Sequence, residues 1–328
     1  MSPKKDSSHS LLPGWGEGED EGHPARDYSP HPNPLPVWGE GNSTTLQKTL
    51  TTITNNLHDF SDAPELDAQR IILHALEQRE PSYLLAHSDI QLTPEQLAET
   101  TRMQNLRKTG MPLAYILGES DFYGRTFIVT PDVLIPRSDT ELLVKKALEY
   151  IRARHPGPRA GIHVDLSGFR VPTSLTSFAG RSKPGMTLTI ADIGTGSGCI
   201  IITLALELYN LPATTYRLIA TDISPAALAI AKQNAAKHGV LDKIAFLQGD
   251  MLKPITNRHV DLIVSNPPYL PAEALAKAGC APETLGLKFE PQSALDGGVD
   301  GLDFVRQIQA SGIPAIIETI GGEIIECY

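Results

Sequence analysis

The chain has 328 residues, a formal charge of −10 and a hydrophobic fraction of 41%, which is long enough for two domains with separate cores and argues against a broad basic face gripping a nucleic-acid backbone. Its three cysteines (Cys199, Cys280, Cys327) and ten histidines have no metal-ligand spacing, no apolar run approaches the ~20 residues that span a bilayer, and the charged, Pro-rich start is unlike a secretory signal. These features point to a reduced, cytoplasmic protein that holds no metal and does not enter a membrane.

Residues 1–45 are dense in Pro, Gly, Glu and Ser, and Trp15-Gly-Glu-Gly18 is echoed by Trp38-Gly-Glu-Gly41. Such a tract cannot bury enough apolar surface to offset its ordering entropy, so a disordered extension is expected. From residue 46 to 118 the spacing turns helical. Leu46, Leu50, Ile53 and Leu57 recur at helical intervals. Ala63-Pro64-Glu65 and Thr93-Pro94-Glu95-Gln96 are helix starts, and Leu66, Ile72, Leu73 and Leu76 are expected to form one apolar face. Arg102, Arg107 and Lys108 read as a solvated helix face. The whole predicts a four- or five-helix domain with no catalytic residue of its own.

Residues 119–133 alternate around Phe122, Tyr123 and Phe127, with Gly124 as a turn, which predicts a hairpin linker. Leu134 to Glu141 leads into a helix through Tyr150. Arg137 follows Pro136 on a rigid turn, where steering of an acidic group and a structural salt bridge are equally open. Residues 155–186 are rich in Pro, Gly, Ser and Arg, lack periodicity and read as a long surface insertion.

A strand is expected over Met186–Asp192, then the turn Ile193-Gly194-Thr195-Gly196-Ser197-Gly198, then an apolar helix from Cys199 to Leu208. Glycines at alternate positions let backbone approach a ligand closely at a helix N-terminus. The spacing is neither the dinucleotide fingerprint nor a Walker loop. A second strand, Arg217–Asp222, ends in an acid 24 residues past Gly198, where doubly wound folds place a carboxylate on the ribose hydroxyls; a helix cap or salt bridge is the bland reading of Asp222. Ser224-Pro225 starts the next helix. A third strand from Ile244 ends at Asp250 and Met251, which are placed to contact an adenine. The fourth strand, Val260–Val264, is apolar apart from Asp261 and stops at Asn266-Pro267-Pro268-Tyr269. Two prolines fix φ and donate nothing, so this corner offers carbonyl and side-chain acceptors beside an aromatic face. That is what a planar amide or exocyclic amine needs if it is to be held and attacked at nitrogen.

The tetrapeptide resembles the signature of methyltransferases that modify a planar nitrogen with S-adenosylmethionine. Together with Pro112–Gly118, Phe122-Tyr-Gly124, Leu134–Glu141, Asp192–Gly198 and Phe289–Leu295, it makes residues 46 to about 310 similar to the peptide chain release factor glutamine methyltransferases (HemK/PrmC). The resemblance implies a Rossmann-like class I α/β methyltransferase domain over 134–328 and a helical substrate-recognition domain over 46–118. The implied cofactor is S-adenosyl-L-methionine, and the implied reaction is methyl transfer to the glutamine of the Gly-Gly-Gln motif in bacterial release factors, by a monomer without direct nucleic-acid contact. Gly194 to Gly198, with Asp192 before them, would line the methionine and ribose; Asp222 would hold the ribose hydroxyls, and Asp250 and Met251 would flank the adenine. Asn266 would accept from the glutamine NH2, helped by the Pro267 carbonyl, in the rigid corner that Pro268 completes, and Tyr269 would pack on the amide plane. The resemblance assigns no role to Glu290.

The family pattern often has Pro where this chain has Ser138. After Gln309 at most a short fifth strand is expected, with the last two strands of the sheet missing. A ribosomal-protein glutamine methyltransferase, a nucleic-acid amino-methyltransferase and an inactive remnant remain alternatives; the second would need a basic groove for a flipped base.

Overall fold

The computed structural model describes residues 44–154, 187–209, 216–278 and 282–328. The extension expected over residues 1–45 and the insertion expected over 155–186 lie outside them, except for Thr44 and Thr45. Thr45 is the N-cap of the first helix and accepts from the Lys48 N–H.

Five helices open the described chain: α1 Leu46–Leu57, α2 Pro64–Ala75, α3 Ser82–Ala86, α4 Pro94–Lys108 and α5 Leu113–Leu117. Pro64 and Pro94 stand in the first turns of α2 and α4, where no intrahelical N–H is needed. Thr93 and Gln96 close a reciprocal capping box at 3.2 and 2.9 Å. Leu46, Ile53, Leu57, Ile71, Ile72 and Met103 form the core of this group. Leu66 does not join it and is 54% exposed. Six positions before Ile72 is not a helical repeat, so the two cannot share a stripe. Arg107 is likewise no solvated cation: its Nε donates to Asp67 at 2.7 Å, and the two side chains are 18% and 11% exposed. The pair ties α4 to α2.

Strands β1 Glu119–Phe122 and β2 Arg125–Ile128 form the expected hairpin, with Phe122 opposite Arg125. Tyr123 and Gly124 both hold positive φ, +52° and +69°, the two-residue turn that matches strand twist. Phe122 and Phe127 are buried in the same core cluster as the large sheet.

The remaining elements are α6 Thr140–Arg154, β3 Leu188–Ile193, α7 Cys199–Glu207, β4 Tyr216–Asp222, α8 Pro225–Lys237, β5 Ile244–Gln248, β6 Leu262–Ser265, α9 Ala272–Lys277, α10 Asp303–Ala310, β7 Ala315–Glu318 and β8 Ile324–Cys327. The sheet runs β5-β4-β3-β6-β7-β8, parallel up to β7 with β8 antiparallel. Every residue of β3, β6 and β7 is buried, as strands covered on both faces must be. This is the Rossmann-like doubly wound α/β fold. The chain builds outward from β3 to β5, then returns to the other side of β3 with β6, which makes β3/β6 the switch point. The lone acid of the β6 stretch belongs to the sheet: Asp261 accepts from the Thr189 N–H at 2.8 Å.

The C-terminal expectation needs correction. Two strands follow residue 310, the fifth parallel strand β7 and the antiparallel β8, not one at most. Gly321 and Gly322, both at φ +73°, reverse the chain so that Ile324 returns opposite Glu318.

One buried side chain links several parts of the fold. Asn234 of α8 is fully buried. Its Oδ1 accepts from the Ile128 N–H at 2.7 Å, and its Nδ2 donates to the carbonyls of Ile128 and Ser197, both at 2.9 Å.

Candidate active site

The carboxyl ends of β3, β4 and β6 and the turn after β5 meet at a cavity of about 320 Å³. It lies beside the switch point, where open α/β sheets take their ligands.

After β3 the backbone N–H groups of Gly194 and Thr195 both donate to the Thr221 carbonyl, at 2.9 and 2.8 Å, folding the loop over the end of β4. Gly194 and Gly196 hold φ +72° and +53°, and no atom stands within 4 Å of the Cβ that either lacks. A side chain there would be strained and would fill space now left beside bare backbone. At the end of β4, Asp222 accepts from the Gly196 N–H through Oδ2 and from the Ser224 N–H through Oδ1, each at 2.9 Å. Burial raises its pKa above the ordinary carboxylate range, and these backbone donors oppose the rise. After β5, Met251 holds φ +47°, a strained backbone for so long a side chain. Asp250 is paired with Lys253 at 2.7 Å. Asp132, Asp222, Asp250 and Asp296 line the cavity, against the single cation Arg137, and this excess of carboxylates favours a ligand carrying positive charge.

On the other side of β3, the Ser265 hydroxyl donates to the Ile193 carbonyl at 2.7 Å, locking the end of β6 to the end of β3. Asn266 follows and lines the cavity. Its Nδ2 donates to Thr140 Oγ1 at 3.0 Å, while its Oδ1 is buried without a partner. An orphaned buried acceptor costs roughly 1–3 kcal/mol, a cost relieved when a ligand brings a donor. The exit of the turn is clamped from the segment around residues 295–301. The Leu270 N–H donates to the Leu295 carbonyl and the Gly297 N–H to the Leu270 carbonyl, both at 2.9 Å. At Gly301 (φ +79°) the clamp closes so tightly that a Cβ would stand 2.4 Å from the Tyr269 carbonyl oxygen.

The structure brings Gly194, Thr195, Gly196, Ser197, Asp222, Asp250, Met251, Asn266 and Pro268 to the cavity wall; Asp192, Gly198, Pro267 and Tyr269 do not line it. Gly198 starts α7, and a Cβ there would meet Ile202 Cδ1 at 2.8 Å. Tyr269 is half-buried, and burial raises its phenol pKa. Three residues of this region carried no sequence expectation or none that decided their role. Thr140 and Glu318 are two. The third is Glu290, whose Oε1 accepts from Arg137 at 2.5 Å and whose side chain is 3% exposed. The Arg137 question therefore resolves to a salt bridge set in the cavity wall.

Asp192 is fully buried and accepts from the Thr195 hydroxyl at 2.7 Å. Burial pushes its pKa up to about 7, with the Thr195 bond opposing. A carboxyl raised in the folded state contributes stability that is intact at pH below its unfolded value and is lost as pH rises toward 7. Asp192→Asn is therefore expected to raise the urea midpoint at pH 8 and to give no gain at pH 4. A gain of equal size at both pH values would refute the assignment of that cost to ionised Asp192.

Two family descriptions match the chain: a PrmC N-terminal domain over residues 48–118 and a methyltransferase small domain over residues 181–279. Among curated relatives, the release factor glutamine methyltransferase of Moorella thermoacetica is 37% identical over 245 residues, covering 75% of this chain and 72% of that protein. The Geobacter sulfurreducens protein of the same name is 37% identical over 225 residues, covering 69% and 64%. That of Nitratidesulfovibrio vulgaris is 37% identical over 256 residues, covering 76% and 70%. Identity of this level over most of the chain, together with the glycine turn and Asn266 and Pro268 of the Asn-Pro-Pro-Tyr corner at one cavity, leads to one conclusion: the chain belongs to the release factor glutamine methyltransferase family.

Proposed function

We propose that this cavity takes S-adenosylmethionine and that the chain methylates the side-chain amide nitrogen of the glutamine in the Gly-Gly-Gln motif of peptide chain release factors. The observation that carries this reading is the unpartnered Oδ1 of Asn266 at a cavity wall built from a bare glycine turn and Asp222. The residues fit the cofactor: Gly194 and Gly196 leave backbone room for its amino-acid and ribose portions, Asp222 offers carboxylate oxygens to the ribose hydroxyls, and Met251 with Ile223 gives apolar surface for the adenine. The acid-lined wall favours a cationic sulfonium, which supplies an electrophilic methyl group when the cofactor is bound.

The chain's own task is to hold the amide. An amide nitrogen is a poor nucleophile because its lone pair is delocalised into the carbonyl. Asn266 Oδ1 accepts one of its N–H groups and the Pro267 carbonyl the other, which returns electron density to nitrogen and orients it. Tyr269, next in the turn, packs on the amide plane. Orientation of this kind is worth up to roughly 7–11 kcal/mol in ideal intramolecular cases, so no dedicated general base is required. With the cofactor held there, its methyl would pass to the oriented nitrogen as the carbon–sulfur bond breaks, and the surplus amide proton would leave to water. We assign the helical group over residues 46–118 to recognition of the release factor, in line with its PrmC N-terminal match. Among the described residues no helix is long and apolar enough to cross a membrane, and no group of acidic, His and Cys side chains could hold a metal.

The test is transfer of labelled methyl from S-adenosylmethionine to a bacterial release factor, beside a variant factor whose Gly-Gly-Gln is changed to Gly-Gly-Ala. Label on the wild-type factor alone is the expected result. Equal labelling of both factors would remove the glutamine as the acceptor.

A further inference from the structure

We propose that Glu318 and Thr140 are positioning residues that set the direction of the Asn266 side-chain amide, so that its oxygen rather than its NH2 meets the substrate. The proposal rests on the reading of Asn266 as the acceptor for the substrate amide and adds what fixes that role.

An asparagine amide is nearly symmetric in shape, and its two ends exchange by a half-turn about the last bond. Turned the wrong way, Asn266 would point N–H groups at the N–H groups of the incoming amide. Something must forbid that orientation. Ser265 of β6 stands opposite Ile317 of β7, so Asn266 and Glu318 lie side by side where these two strands end. Thr140, the first residue of α6, closes a triangle with them. Glu318 and Thr140 are 1% and 2% exposed, so solvent cannot rearrange the set.

The hydrogen bonds have a single sense. A threonine hydroxyl owns one proton. Glu318 lies within reach of that hydroxyl; an ionised carboxylate has no proton to give and can only accept, so the Thr140 proton is assigned to it. The Thr140 oxygen then has lone pairs alone for Asn266, and it takes the Nδ2 N–H at 3.0 Å. Reversing the amide would set Oδ1 against that oxygen, acceptor against acceptor. The carboxylate is thus the source of the order, and it reaches the substrate through two bonds. The positive end of the α6 dipole favours a negative charge nearby. Burial raises the Glu318 pKa, chiefly against the Thr140 bond, with Asp139 adding to the rise and Arg137 opposing it. Its Oε2 has no partner. A carboxylate kept under these conditions is costly to the fold, and an apolar side chain would fill the same sheet end without that cost.

The test compares Thr140→Val, which keeps the shape and loses the hydroxyl, with Thr140→Ser, which keeps the hydroxyl. Each is assayed for methyl transfer to a release factor and for S-adenosylhomocysteine binding by calorimetry. Thr140→Val is expected to lower kcat about tenfold or more with the S-adenosylhomocysteine dissociation constant within about threefold of the parent, while Thr140→Ser stays within about threefold in both. In Thr140→Val/Asn266→Ala the two losses should not add, because the first acts only through the second. Glu318→Gln, whose NH2 can donate to Thr140 and release its proton toward Asn266, should lower kcat in the same way, and it carries the test if Thr140→Val does not fold. Full turnover by Thr140→Val, or by Glu318→Gln in that event, overturns the proposal while Asn266→Ala remains inactive. Full turnover by Asn266→Ala instead overturns the parent reading, so the two failures are distinguishable.

Discussion

Asn266→Ala is expected to lower turnover by about 100-fold or more while leaving S-adenosylhomocysteine affinity within about tenfold of the parent chain. Asn266 owes its place to β6 rather than to the cofactor loop, so its removal leaves the Gly194–Gly198 turn and Asp222 standing. What disappears is an acceptor already aimed and already desolvated: its Oδ1 is buried with no partner and its Nδ2 is bound to Thr140. The interaction strengthens as positive charge develops on the amide nitrogen, which places the loss in kcat rather than in binding. Single-turnover methylation with saturating cofactor reads it directly. A variant within a few-fold of the parent would remove Asn266 from the machinery and, with it, the assignment of this corner as the amide site.

Asp222→Ala should act on the other term. A hydrogen bond to a charged group is worth roughly 1.5–3 kcal/mol, so the S-adenosylhomocysteine dissociation constant is expected to rise about 10- to 100-fold. At saturating cofactor kcat should change much less, since ribose contacts are made equally in ground and transition states. Two effects contribute. The ribose loses its acceptor, and the N–H groups of Gly196 and Ser224, now bound to the carboxylate at 2.9 Å, lose theirs. Asp222→Asn separates them, because its one remaining carbonyl oxygen can still serve the loop but not both partners. Calorimetry on the two variants gives the comparison. Unchanged affinity in Asp222→Ala would mean that this carboxylate only shapes the loop.

Most of this site was legible because its elements are local in sequence. A run of β-branched residues stopped by two prolines, a glycine turn between strand and helix, and an acid at a strand end each announce themselves within a few residues, and the strand order brings those ends to one cavity. The residues that were missed are distant in sequence or ordinary in type. Thr140 and Glu318 stand 126 and 52 positions from Asn266, and nothing in a threonine at a helix start foretells a bond to a side chain across the sheet. Gly297 and Gly301 clamp the turn after Tyr269 through backbone contacts that no side-chain pattern records. Arg107 was read as solvated because charge alone says nothing of a partner 40 positions away, yet Asp67 accepts from it at 2.7 Å. Leu66 was placed in the core on hydrophobicity against its helical phase. The second strand after residue 310 was missed because four residues pairing across a Gly-Gly reversal carry almost no periodic signal.

Asn234 has a consequence of another kind. The hairpin leading from the helical group and the loop at the candidate cofactor site share this amide, which binds Ile128 twice and the Ser197 carbonyl once. Opening of either segment strands a polar atom of the buried Asn234 side chain that the other segment also holds. The two are therefore expected to open as one cooperative unit in native-state hydrogen exchange, with the Ile128 amide proton, held by the Asn234 side chain, as the hairpin's reporter of events at the loop. Ligand-induced slowing of its exchange would be the sign that occupancy of the sheet crevice is felt at the hairpin that leads from the helical group.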